Sequence, residues 1–164
     1  MKVVCPGSYD PITMGHLDII ARSARMFAEV VVAVVHNPAK SGRFDPERRA
    51  DLIGASLAAD ERTREAGNIS IDLVPGGLLV DYCTSIGAPA VVKGLRSGTD
   101  FAYELPMALM NKHLSDLETI FVPGSPEFEH VSSSLIKEVH DGGGDIRGLV
   151  PDPVMTALGA AGAR

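Results

Sequence analysis

The chain has 164 residues and a mass of 17.3 kDa, enough for one buried core and a single domain over 1–164. Its net charge is −6, with 45% hydrophobic and 22% charged residues; this suits an ordinary globular protein and argues against a nucleic-acid partner, which calls for a basic face. No apolar run reaches bilayer-spanning length, and the first residues lack the apolar core of a signal peptide, so a cytoplasmic protein with no membrane partner is expected. Cys5 and Cys83 lie far apart in apolar stretches without metal-ligand spacing, and both read as buried thiols.

In chain order, Lys2–Cys5 reads as a first strand. The segment from Gly15 to Phe27 has a helical period in Leu17, Ile20, Ala21, Ala24 and Phe27. Val30–Val35 is a β-branched run of the kind buried on both faces of a sheet. Pro46–Ala59 reads as a helix, with Asp45 as N-cap and Pro46 at N1. Ile69–Val74 is a third strand, Gly77–Ile86 a helix and Ala88–Val92 a fourth strand. Asp100–His113 reads as a helix that Pro106 can kink. Glu118–Val122 is a fifth strand and Ser132–His140 a serine-capped helix. Gly142–Gly144 reads as a flexible break, and Pro151–Ala161 as a terminal helix. Strand–helix alternation throughout implies a five-stranded parallel sheet with helices on both faces, a single Rossmann-like α/β domain. In such folds ligands bind beyond the carboxyl ends of the strands, near the topological switch point.

Four polar clusters follow predicted strands. After the first comes the loop from Pro6 to His16, shaped by two prolines and two glycines and leading into a helix N-terminus that offers unpaired N–H groups to an anion. Gly15 keeps the approach clear, and His16 can place an imidazole donor on a phosphate. After the second come Lys40 and Arg43, with solvated loop cations as the ordinary alternative. After the fourth comes Lys93-Gly94-Leu95-Arg96, pairing a point charge with a guanidinium able to bind phosphate bidentately. Glu104, one turn into the next helix, suits a ribose hydroxyl or an adenine amine, or a solvated helix face. After the fifth comes the segment from Phe128 to Ser134, where three serines exceed what one cap requires. No GxxxxGK[ST] or GxGxxG occurs. Cations, an imidazole, hydroxyls and helix N-termini on one sheet edge amount to a polyphosphate site.

The loop Ser8-Tyr9-Asp10-Pro11-Ile12-Thr13-Met14-Gly15-His16 resembles the [ST]-x-DP-x-T-x-GH signature of bacterial phosphopantetheine adenylyltransferases, with Thr13 where the wider superfamily has the first His of HxGH. Lys93-Gly94-Leu95-Arg96 with Asp100–Glu104, Asn111–Leu114 and Val131–Val139 are similar to further segments of that family, in order along nearly the whole chain. The resemblance implies transfer of AMP from ATP to 4′-phosphopantetheine, giving dephospho-coenzyme A (dephospho-CoA) and pyrophosphate. It implies ATP contacts at Ser8, Tyr9, His16, Gly94, Leu95, Arg96, Glu104, Phe128, Glu129, His130, Val131, Ser132, Ser133 and Ser134. Phosphopantetheine would meet Ser8, Lys40, Leu79 and Lys93, with His16, Lys40 and Arg96 acting in catalysis. It further implies Mg²⁺ carried on the triphosphate, a homohexamer, and coenzyme A as a candidate inhibitor. Ser8, Tyr9, Met14, Lys93 and Phe128 stand where Thr, Phe, Asn, Arg and Trp are common in the family; Lys93 keeps the charge but loses the bidentate geometry. Two other readings stay open: a nucleotidyltransferase for nicotinate or nicotinamide mononucleotide or a phosphoalcohol, and a non-catalytic nucleotide sensor on the same fold.

Overall fold

The computed structural model describes residues 1–36, 41–74 and 76–162, with side chains up to 159. Five parallel strands are β1 (Lys2–Gly7), β2 (Glu29–Val35), β3 (Ile69–Val74), β4 (Ala90–Leu95) and β5 (Glu118–Pro123), in the order β3-β2-β1-β4-β5. The helices are α1 (Met14–Met26), α2 (Pro46–Ala59), α3 (Leu79–Ser85), α4 (Gly98–Ser115), α5 (Ser133–Asp141) and α6 (Asp152–Gly162). The chain winds outward from β1 to β3 on one side, then crosses to β4 and β5 on the other, so the switch point lies between β1 and β4.

Side-chain alternation along the strands builds two cores. Val3, Cys5, Val30, Val32, Val34, Ala90 and Val92 face one layer, which Leu17 and Ile20 of α1, Leu52 and Ile53 of α2, Ile136 of α5 and Leu158 of α6 complete. Val4, Val31, Ala33 and Val91 face the other, against Val80, Tyr82 and Cys83 of α3. Cys5 and Cys83 are both buried and unpaired, as their surroundings in the sequence suggest.

The structure moves several expected boundaries. β4 runs three residues further than the sequence suggests: Lys93, Gly94 and Leu95 pair with Phe121, Val122 and Pro123 as strand residues, not as a loop after the strand. A glycine is needed at position 94 because α1 lies so close that a Cβ would sit 2.7 Å from Cγ1 of Ile19. α3 starts two residues later than expected, after Gly77 at φ +118°, outside the helical region. α4 begins two residues earlier, capped by Ser97, and stays helical through Pro106. Gly142–Gly144 is a hydrogen-bonded helix end rather than a slack break: the Gly142 and Gly144 amides donate to Glu138 and Val139, and Gly143 takes φ +78°.

Candidate active site

β1 pairs with β2 along its whole length, through Gly7, but with β4 only at Val3 and Val4. Beyond those residues the carboxyl ends of β1 and β4 diverge. Pro6, at the divergence, has no N–H with which to continue a ladder. The opening holds two cavities, of about 350 and 450 Å³. The first is lined by His16, Lys93, Arg96, Glu104, Phe128 and Ser132, among others. The second is lined by Ser8, Asp10, Gly42, Arg49, Leu79 and Ser134, among others. Pro6 and Lys93 line both.

The start of α1 shows how the first cavity is equipped. Thr13 is the N-cap: its hydroxyl accepts from the His16 amide at 3.4 Å, and its own N–H donates to Nδ1 of His16 at 3.0 Å. This is a capping box with histidine at N3 in place of the usual glutamate. Because Nδ1 accepts, the ring proton sits on Nε2. Burial disfavours the charged ring and Arg96 repels it, bringing the His16 pKa from 6.5 to about 4. His16 is therefore a neutral Nε2–H donor. The Met14 amide donates to the carbonyl of Leu149 at 2.9 Å and the Leu17 amide to that of Thr13. The Gly15 N–H has no acceptor among the described residues and remains open to an anion in the cavity that Gly15 lines.

The other expected residues divide clearly. Tyr9, at φ 47°, turns its ring inward: its hydroxyl donates to the Cys5 carbonyl at 2.7 Å, and its ring meets His16 edge-on. Tyr9 thus lines the first cavity beside His16, with its hydroxyl engaged by the Cys5 carbonyl. Arg96 donates bidentately to Asp100, at 2.9 and 3.2 Å, and to the Val131 carbonyl at 2.9 Å. Lys93 pairs with Glu104 at 3.3 Å between the two cavities. Of the three serines, Ser132 caps α5, Ser133 donates to the Pro11 carbonyl at 2.8 Å, and Ser134 lines the second cavity. Phe128 and Val131 line the first cavity, whereas Leu95, Glu129 and His130 line neither. Gly94 lines the first. Lys40 lies outside the described residues.

Sequence reasoning gave no role to Asp10, Arg49 or Lys137. The buried carboxylate of Asp10 accepts from the amides of Arg43 and Phe44 and from Lys137, and Arg49 stands 3.5 Å away. A signal existed for Arg49: it shares the helical stripe of Leu52, Ile53 and Ser56, all buried, and an arginine on that stripe requires a carboxylate or carbonyl partner. Asp18 was missed as well; it accepts from Ser125 at 3.0 Å and so ties α1 to the segment carrying Phe128.

A parallel sheet with an open helix N-terminus, a fixed imidazole and cations at its switch point defines a nucleotide-binding α/β protein. The cytidylyltransferase-like family model matches residues 4–139. Phosphopantetheine adenylyltransferases of Micrococcus luteus and Streptomyces coelicolor are 46% and 52% identical to this chain over 157 residues, covering 96% of it and 96% and 94% of theirs. The chain belongs to the cytidylyltransferase-like family and, within it, to the phosphopantetheine adenylyltransferases. A lipopolysaccharide core biosynthesis protein of Thermoplasma volcanium shares the fold, with a TM-score of 0.53 at 19% identity over 76% of this chain and 96% of that one.

Proposed function

We infer that the chain catalyses reversible transfer of AMP from ATP to 4′-phosphopantetheine, a step of coenzyme A biosynthesis that yields dephospho-CoA and pyrophosphate. The observation that carries this reading is the pair of cavities meeting at Lys93, one with the features of a polyphosphate site and one beside it for an acceptor. ATP would occupy the first, with its phosphates toward His16, the Gly15 amide and the start of α5. The acceptor would occupy the second, between Ser8, Leu79 and Lys93.

An acceptor phosphate oxygen is already anionic at neutral pH, so no general base is needed. That oxygen forms a bond to the α-phosphorus as the bond from the α-phosphorus to the bridging oxygen breaks, and pyrophosphate leaves with the electron pair. The residues align the two ends and stabilise negative charge on the transferring group. His16 donates through Nε2–H, and Lys93 contributes its charge at the junction. Arg96 spends three of its five N–H donors on Asp100 and the Val131 carbonyl, which leaves one on Nη1 and one on Nη2 for phosphate oxygens. Lys40 is assigned to the junction by family resemblance. Mg²⁺ would arrive with ATP, carried on its phosphate oxygens.

The same reading carries a cytoplasmic homohexamer with coenzyme A as an inhibitor. No helix among the described residues is long and apolar enough to cross a membrane. Met107, Leu109 and Met110 of α4 are exposed rather than in the protomer's core, which supports an interface between copies. Sedimentation velocity tests the hexamer, and competition by coenzyme A tests the inhibition.

The deciding experiment measures pyrophosphate release with ATP, Mg²⁺ and 4′-phosphopantetheine, beside nicotinamide mononucleotide and dephosphorylated pantetheine. Turnover with phosphopantetheine alone is expected. Turnover with another acceptor would keep the ATP site and discard the acceptor assignment, and silence with all three in folded protein would leave a nucleotide sensor.

A further inference from the structure

Asp10 carries a charge that the transfer step does not use. The residue is 5% exposed and lies in the wall of the acceptor cavity. Its Oδ1 accepts from the Phe44 amide at 2.9 Å and stands 3.5 Å from Nε of Arg49. Its Oδ2 accepts from the Arg43 amide at 2.8 Å and from Nζ of Lys137 at 3.0 Å. Burial alone would raise its pKa, yet the bonds from Arg43, Phe44 and Lys137 and the charge of Arg49 outweigh it and keep the carboxyl ionised.

These partners come from three pieces of chain: the segment entering α2, α2 itself and α5. The guanidinium of Arg43 also reaches Asp141 at the end of α5, at 2.5 Å, so Arg43 is held by backbone and by side chain. Ser41 and Gly42, immediately before this anchor, line the acceptor cavity. Arg49 packs so closely beneath Gly42 that a Cβ there would lie 1.9 Å from its Nη2. Neither Asp10 nor any of its four partners lines the donor cavity.

We propose that Asp10 is a positioning residue for the acceptor: through Arg43, Phe44, Arg49 and Lys137 it holds segment 41–44 as the outer wall of the acceptor cavity. The proposal rests on the adenylyl-transfer reading for its kinetic consequence, but not for its structural one. Asp10→Asn replaces one accepting oxygen with an N–H₂ group that faces donors. Losing a charge-assisted bond at this site should raise the KM for 4′-phosphopantetheine about tenfold or more and leave the Kd for ATP within about twofold. A merely structural role would lower the melting temperature or the active fraction without separating the two substrates.

Hydrogen exchange of the wild type and Asp10→Asn supplies the second readout, because the Arg43 and Phe44 amides donate to different oxygens and one of them loses its acceptor. Faster exchange at 43–44, together with the selective rise in acceptor KM, supports the proposal. Unchanged exchange there, or equal losses for both substrates, overturns it. If Asp10→Asn does not fold, Lys137→Met removes one donor at the partly exposed rim and should give the same selectivity in smaller measure, about threefold; no selectivity in that variant overturns the proposal. If the wild type itself does not turn over phosphopantetheine, the functional reading falls, and exchange at 43–44 alone decides whether Asp10 holds the segment.

Discussion

The backbone N–H of Thr13 donates to Nδ1 of His16 at 3.0 Å, and this bond decides which proton the imidazole carries. A main-chain amide can only donate, so Nδ1 is unprotonated and Nε2 bears the hydrogen. The ring is held as a donor by the helix that it caps.

This makes the ionisation of His16 measurable. Its pKa of about 4 in the fold lies below the ordinary 6.5 because burial and then Arg96 disfavour the imidazolium. Between those two values the unfolded chain binds more protons than the folded one. Stability therefore falls as pH drops from 6.5 toward 4, and His16 adds no slope above 6.5. At about 1.4 kcal/mol per pKa unit the loss is at most about 3.5 kcal/mol, reduced where cavity water screens the ring. In nitrogen–proton correlation spectra His16 should remain the neutral Nε2–H tautomer down to about pH 5.5. A doubly protonated ring at neutral pH would contradict the assignment.

The capping and catalytic roles of His16 can be separated by two substitutions. His16→Ala removes both the cap bond and the donor, so it should destabilise by about 1 kcal/mol and reduce kcat on the order of a hundred- to a thousandfold. His16→Gln can restore the capping box, since glutamine is favoured at N3. With its side chain engaged there it should recover stability but not rate. Recovery of both would remove His16 from the chemistry and leave it a cap.

What was legible in the sequence was the order of elements, because β-branched runs and helical periods carry it directly. The two cores follow from the alternation of Val30 to Val34. The two cavities lie beyond strands that the sequence marks with polar clusters, although β4 ends at Leu95 rather than Val92. Lys93 and Gly94 look like loop residues, and their pairing with β5 and the close approach of Ile19 are tertiary facts that no local pattern states. The three serines point to phosphate binding as a group; Ser132 and Ser133 line the first cavity and Ser134 the second, while Ser132 also caps α5 and Ser133 also bonds to the Pro11 carbonyl, details that the serine run alone does not show. Tyr9, an ATP contact by family resemblance, lines the first cavity. Its backbone at φ 47° sends the ring inward, a torsion that local sequence does not encode.

The contact between Gly94 and Ile19 predicts a specific weakness. A methyl group on Gly94 would lie 2.7 Å from Cγ1 and 3.1 Å from Cδ1 of Ile19, a β-branched side chain with little rotamer freedom. Gly94→Ala should destabilise by about 1–3 kcal/mol, as overpacking does. It should also weaken ATP binding, since Ile19 and Gly94 both line the donor cavity. Adding Ile19→Ala makes room for the methyl group, so the double variant should be more stable than the sum of the single effects predicts. Additive melting data would mean that the two side chains do not compete for the same space.

Lys93 offers the most direct test of the two-cavity arrangement. Its ammonium stands 3.3 Å from Glu104, and its side chain lines both cavities. A residue serving one substrate would affect one KM. A residue at the junction should affect both, and should matter most when both substrates crowd negative charge around it. Lys93→Met keeps the length of the apolar stem and deletes the charge. Losing a charge-assisted contact of about 1.5–3 kcal/mol should lower kcat/KM for each substrate about ten- to a hundredfold. It also leaves Glu104 without its cation inside a site for anions, so part of that loss is repulsion. Glu104→Gln in the Lys93→Met background should then recover part of the ATP affinity. Lys93→Arg retains the charge and should stay within about tenfold of the parent. Full initial-rate matrices over both substrates distinguish these outcomes, and a defect confined to one substrate would place Lys93 in a single cavity.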